Sequence, residues 1–310
     1  MKNVKGFSKI TGVVLLVVLV TLAVLTYWHP GARTTLSGPH PNAVNRRKVV
    51  RVVALGDSLT QGVGDQQKKG GYTGRLKTMI HRRDKVKVVM HNYGKSGDRS
   101  DQIEKRLVNS PAMQQQVKKS QAIVMTVGGN DLLQTLTKKV TISQQSKLNT
   151  QLDNAEDTYQ QKLQRLLNTV RQYNPKAPIF LYSIYNPVYV YFANIDQVTN
   201  AVDDWNVATK KTASSYHNLY WVDINRALSV GQFKSATQQA KLKRNSQDIN
   251  NGKISTQTFQ ATILASDASD ELNHYLSPAD HFHPNAKGYR LMTRYVFKEM
   301  QAHQQQWLLK

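Results

Sequence analysis

Two features of the chain predict an α/β fold whose parallel sheet is covered by helices on both faces. From Val49 onward, short apolar runs alternate with longer amphipathic stretches, the pattern of strand–helix–strand units with right-handed crossovers. The runs are also nearly continuous in apolar and β-branched residues rather than alternating, as strands buried on both faces must be.

The run from Val49 to Gly56 reads as the first strand, after which the chain turns sharply and presents Asp57 and Ser58. A helix over 74–83 and a second strand over 86–90 follow, the strand ending in Asn92-Tyr93-Gly94-Lys95-Ser96-Gly97-Asp98. A helix near 100–108 leads to a third strand, 121–127, which ends in Gly128-Gly129-Asn130-Asp131. Leu148, Leu152, Ala155, Tyr159, Leu163, Leu166, Val170 and Tyr173 recur at three- and four-residue steps and predict a long helix with a core-facing stripe. The fourth and fifth strands are 178–183 and 219–222, with a helix over 200–216 between them. A last helix starts near Pro284, a favourable first-turn residue, and runs past Tyr295. Residues 225–275 are polar, with sparse apolar positions such as Phe233, Ile249, Ile254, Phe259 and Ile263. This stretch is too long for a simple loop and is either a small helical insertion over the strand ends or a surface excursion.

The 310 residues carry 42 Lys and Arg against 20 Asp and Glu, a formal charge of +22 with a pI near 10.0. Such a surplus calls for a polyanionic neighbour: nucleic acid, anionic lipid or a wall polymer. The absence of cysteine excludes disulfides, thiolate zinc sites, cysteine nucleophiles and a lipidation cysteine. Lys2, Lys5 and Lys9 precede an uncharged run, 10–28, long enough to span a bilayer and closed by the interfacial pair Tyr27-Trp28. With the lysines on the near side, the run is expected to be an uncleaved single-pass anchor in the cell membrane, with everything after His29 outside; a cleaved secretory signal is the alternative. Only three of the 42 basic side chains precede the run, so the exported part keeps 39 against 20 acids, or +19. The expected organisation is a cytoplasmic tip and anchor over 1–29, a polar stalk over 30–48 and one domain over 49–310.

Ser58, Gly97 and Asn130 follow three strands, and Asp280-His281-Phe282-His283-Pro284-Asn285 follows the fifth strand and the insertion. In a parallel sheet all of them project over the edge where open α/β folds bind ligands. Taken alone, Ser58 reads first as a helix cap; a base within reach makes it a nucleophile. His283 is such a base, and Asp280, one turn earlier, can fix its tautomer and stabilise the imidazolium. An oxyanion needs preorganised donors, and the backbone N–H groups of Ser58 and Gly97 and the Asn130 amide are of that kind. Simpler roles fall to the neighbours: Asp57 braces the turn, and Asp131 caps a helix. His281, wrongly spaced from Asp280 for a relay, is a surface or substrate-contacting residue. Tyr182, Tyr185, Tyr189 and Tyr191 either pack or line an acyl pocket.

These residues resemble the GDSL, or SGNH, serine esterases and acylhydrolases. Gly56-Asp57-Ser58-Leu59 is similar to the family's nucleophile block, Asn92 to Gly97 to its second, Gly128-Gly129-Asn130-Asp131 to its third, and Asp280-x-x-His283-Pro284 to its last. The likeness covers roughly 49–298 and is nearest to bacterial lipase-like members, whose look Tyr185-Asn186-Pro187-Val188-Tyr189 shares. It implies a three-layer α/β/α sandwich with a five-stranded parallel, flavodoxin-like sheet. It also implies hydrolysis of an acyl ester by Ser58, His283 and Asp280 through an acyl-enzyme, with an oxyanion hole of Ser58, Gly97 and Asn130 and no metal or cofactor. Lipid and O-acetylated glycan esters both stay open as substrates, and anionic lipid and wall polymer as partners.

Other classes fit less well. An α/β-hydrolase needs Gly-x-Ser-x-Gly, and Thr60 stands in the second glycine's place. No motif for binding nucleic acid is present. An inactive anchored domain that binds wall polymer through its lysines is the non-enzyme alternative, against which the intact Ser58, Asn130, Asp280 and His283 weigh.

Overall fold

A computed structural model describes residues 45–139, 145–250 and 271–310. The expected anchor, most of the stalk and residues 251–270 of the insertion lie outside them. Among the described residues no helix is long and apolar enough to cross a membrane. Five strands, β1 Val49–Gly56, β2 Lys87–Gly94, β3 Ala122–Thr126, β4 Ile179–Tyr182 and β5 Leu219–Val222, form one parallel sheet in the order β2-β1-β3-β4-β5. The helices are, in chain order, α1 Ser58–Gln61, α2 Gly71–Asp84, α3 Ser100–Val108, α4 Pro111–Lys119, α5 Gly129–Lys139, α6 Gln145–Tyr173, α7 Asp196–Ala213, α8 Asn225–Ser229, α9 Ala236–Asn250, α10 Ala286–Ala302 and α11 Gln304–Trp307.

Each strand sends alternate side chains to opposite faces, and in the central strands β3 and β4 nearly all of both sets are apolar and buried. Val53, Leu55, Ile123, Met125 and Leu181 face a layer of α3–α7, where Ile103, Leu163, Leu166, Val170 and Trp205 meet them. Val50, Val52, Val124 and Phe180 face α2 and α10, against Leu76, Ile80, Met292 and Val296. The result is the expected three-layer sandwich. The stripe of α6 faces the core as its spacing predicts, with Tyr159 buried and Leu152 and Tyr173 packed at its margin.

Several boundaries differ from the sequence reading. The second strand continues through Asn92, Tyr93 and Gly94, because as an edge strand its carboxyl end needs no apolar side chains. The last helix begins at Ala286, after Asn285 caps it by accepting from the N–H groups of Lys287 at 2.7 Å and Gly288 at 3.1 Å. Helix α4 carries only Met113 and Val117 as core contacts, too few to register as a period, although Ser110 caps it and Pro111 opens it. The chain joins the fold earlier than the stalk boundary implies: Arg46 bridges to Leu309, and the Arg47 N–H donates to Leu308 O at 2.9 Å. Within the insertion α8 and α9 are helical, and Val230 and Leu242 pack on Tyr189, Val190 and Ala193. Over that stretch the helical alternative is the right one.

The order β2-β1-β3 makes the carboxyl ends of β1 and β3 the topological switch point, where the chain's direction of winding reverses and a crevice opens. Ser58 follows β1 and Asn130 follows β3.

Candidate active site

The turn after β1 is held by a buried hydroxyl network. Asp57, not Ser58, caps α1: its Oδ1 accepts from the Leu59 N–H at 3.0 Å and from Thr126 Oγ1 at 2.7 Å. Thr126 Oγ1 also lies 2.8 Å from Thr60 Oγ1, which is 2.8 Å from the Tyr72 hydroxyl. Burial pushes the Asp57 carboxyl up, against the hydrogen bonds from Thr126 and Leu59 and the charge of His283. With capping done by its neighbour, the Ser58 hydroxyl has no hydrogen-bond partner among the described residues and lines a small cavity of about 30 Å³. Leu59, Val127, Asn130, Ile184, Tyr185 and Phe282 share that cavity.

The loop of Asp280 and His283 approaches the turn through Phe282, which lines the same cavity as Ser58. His283 Nδ1 is 2.7 Å from Asp280 Oδ2, while Asp280 Oδ1 accepts from the backbone N–H groups of His283 at 3.0 Å and Phe282 at 3.1 Å. Burial works to raise the Asp280 carboxyl, but these bonds and the His283 charge outweigh it and hold the group below its ordinary value. The loop is closed by Ser277, whose N–H donates to His283 O at 2.8 Å, and tied to β4 by Tyr185, whose hydroxyl donates to Phe282 O at 2.6 Å. No hydrogen bond joins Ser58 to His283, whose Nδ1 is engaged by Asp280.

Gly64, in the loop after α1, backs directly on His283. Its φ is +84°, and a Cβ there would meet His283 Cβ at 2.9 Å and Pro284 O at 2.8 Å. Only glycine fits.

His281 is not at the surface as expected. It is buried, with Nδ1 2.5 Å from Glu271 Oε2 and 3.0 Å from the Tyr191 hydroxyl. His281 bonds to Glu271 and Tyr191 rather than to Asp280, and these hydrogen bonds satisfy its buried ring.

Of the oxyanion candidates, Ser58 and Asn130 line one cavity, and Asn130 also bonds the residue after Gly97. Gly97 has φ +82° and open space where a side chain would stand. Asn130 Nδ2 donates to Asp98 O at 2.9 Å, which orients the amide beside the Gly97 loop and leaves its second N–H free of that bond. Arg106 fastens this loop to the sheet: its guanidinium donates to Asp98 Oδ2 at 2.5 Å and to the carbonyls of Tyr93 and Gly56, each at 3.0 Å. Asp131 is a cap, though of a neighbouring helix: it accepts from the Ser100 N–H at 3.0 Å and hydroxyl at 2.7 Å, at the start of α3. The four tyrosines divide. Tyr185 lines the cavity, Tyr191 holds His281, and Tyr182 and Tyr189 pack in the core.

A model described as the GDSL-like lipase/acylhydrolase family matches residues 54–291. The chain belongs to that family. It is an ester-hydrolysing enzyme by that membership. Over 251 residues it is 27% identical to the uncharacterized protein YpmR of Bacillus subtilis, covering 80% of each chain. Over 87 residues, 28% of this chain and 41% of the other, it is 38% identical to the spore germination lipase LipC of Bacillus licheniformis. Among solved structures, the lipase Lip_vut3 from a goat rumen metagenome shares the fold with a TM-score of 0.57 and 24% identity, over 80% of this chain and 96% of the other. Gly64, Arg106 and Glu271 have no signal in the family's four blocks; Gly64 alone leaves a trace, as a second glycine two residues after Gly62.

Proposed function

We propose that the protein is a membrane-anchored, extracytoplasmic serine hydrolase that cleaves esters of short acyl groups. The observation that carries the chemistry is the His283–Asp280 hydrogen bond facing a turn whose serine hydroxyl is unused. Ser58 Oγ attacks the ester carbonyl as His283 takes its proton, and Asp280 holds the imidazole tautomer and stabilises the imidazolium. The developing oxyanion lies against the N–H groups of Ser58 and Gly97 and the Asn130 amide. The alcohol leaves with the proton from His283, and water then attacks the acyl-Ser58 ester by the same relay. The cavity beside Ser58 is small, about 30 Å³, which favours acetyl over long-chain acyl groups and thus an O-acetyl esterase over a lipase. The anchor rests on the lysine-flanked run 10–28.

The test is hydrolysis of p-nitrophenyl acetate, butyrate and palmitate by the full chain. Acetate should be turned over with the highest kcat/KM and palmitate with the lowest. A palmitate preference overturns the short-acyl reading, and no turnover of any ester overturns the hydrolase mechanism. Protease added to intact cells should release active domain; a protected domain overturns the location.

A further inference from the structure

The exposed charge on the sheet edge opposite the site is predominantly positive, and the partly exposed Glu299 at the end of α10 lies 3.2 Å from His303. Because the strands are parallel, their amino ends lie together there. Lys48, Lys87, Lys119 and Lys176 stand at or within three residues of the first residues of β1 to β4, and all are exposed. Helices returning to this edge end in further exposed bases, Arg82 and Arg83 on α2 and Lys210 and Lys211 on α7. In the connections 45–48, 81–87, 117–121, 174–178 and 210–218 the one acid is Asp84, which is buried. The catalytic edge mixes signs, with exposed Asp196 and Asp223 as well as Lys95 and Lys287.

Helix dipoles favour bases in a last turn. They account for Arg82, Arg83, Lys210 and Lys211, but not for Lys48, Lys87 or Lys176, which lie on loops or at a strand start. Like charges crowded without acids repel one another, and an anionic surface relieves that repulsion. The chain also enters the fold here: Arg46 and Arg47 pair with Leu309 and Leu308 just before β1. The first described residues therefore lie at the basic edge.

We infer that this edge docks on the anionic phospholipid headgroups of the bilayer that holds the run 10–28, so that the site opens away from that bilayer. The inference rests on the anchored reading above and deepens it: the ester arrives from the far side, carried by a soluble or wall-borne molecule rather than by the lipid beneath. Each lysine near an anionic bilayer multiplies binding by about five, so the lysines of this edge suffice to fix the orientation of a tethered domain.

The chain has no cysteine, so single cysteines can be labelled uniquely. Gln197→Cys and Ser215→Cys place a fluorophore at opposite ends of α7, on exposed positions roughly 27 Å apart along the helix axis. The labelled full chain is reconstituted in phosphatidylcholine vesicles with or without phosphatidylglycerol, with a headgroup-borne quencher. Quenching at 215 should exceed that at 197 severalfold with phosphatidylglycerol, and should vanish without it or at 1 M salt, where screening shortens to ~3 Å. Combining Lys87→Glu, Lys119→Glu and Lys176→Glu should abolish it while p-nitrophenyl acetate turnover stays unchanged. Equal quenching at both positions, stronger quenching at 197, or insensitivity to lipid charge overturns the inference. So does a 215 label that responds to soluble polyphosphate and not to phosphatidylglycerol, which would make the partner an anionic polymer. Loss of ester turnover with the quenching pattern intact would instead count against the hydrolase mechanism.

Discussion

Asp57 and Asp280 both feel the His283 charge, yet they are pushed in opposite directions. Asp57 is enclosed in the turn after β1, where burial raises its carboxyl and three hydroxyl side chains complete the packing. Asp280 lies in a half-exposed loop, where the His283 hydrogen bond and charge prevail over burial and hold the carboxyl low. The turn that carries Ser58 is thus part of the core, whereas His283 is held by polar contacts within one loop and a few ties to its surroundings. Perturbing the loop should cost activity before it costs stability, and perturbing the turn should cost both.

The largest loop effect is expected from Asp280→Asn. Losing the carboxylate that fixes the imidazole should lower kcat by about 10³–10⁴-fold with little change in thermal midpoint, and a loss below tenfold would remove Asp280 from the relay. Next is Asn130→Ala, which removes one oxyanion donor and should lower kcat by about 10²–10³-fold with KM for p-nitrophenyl acetate nearly unchanged. Gly64→Ala is intermediate between the two regions, since its Cβ would push on His283 from the turn side. A left-handed residue with a side chain costs about 1–2 kcal/mol, so melting should drop by a few degrees while kcat/KM falls roughly ten- to hundredfold.

The smallest effect is on stability against pH. Asp280 binds its proton less readily folded than unfolded, so its contribution is present above about 3.8 and is lost as pH falls through the lower folded value. Asp57 has the reverse sign: its raised folded value favours folding most below 3.8, and that contribution is gone at neutral pH. Urea unfolding between pH 5 and 3 should therefore show a shallower loss of stability in Asp280→Asn than in the wild type, and a steeper loss in Asp57→Asn.

What the chain disclosed in advance follows the same division. The five strands and the Ser58 turn were legible because their causes are local: an apolar run, a glycine, a capping aspartate. The positions of Gly97, Asn130, Asp280 and His283 after their strands were legible through short motifs. The tertiary ties that hold these residues and their loops were not. Gly64 contacts His283 from more than two hundred residues away in the chain, Arg106 reaches three segments at once, and Glu271 pairs with a histidine that read as exposed. Such contacts are made by tertiary packing and have no periodicity or spacing to announce them. The short helix α4 was missed for a related reason, having two core contacts in nine residues.

The most direct test of the central assignment, Ser58 activated by His283, is labelling of the full chain with a fluorophosphonate, followed by peptide mapping. The label should sit on Ser58 alone, its rate should fall by at least about a thousandfold in His283→Ala, and Ser58→Ala should take up none. Label on another residue, or undiminished labelling of Ser58 in His283→Ala, would contradict the assignment.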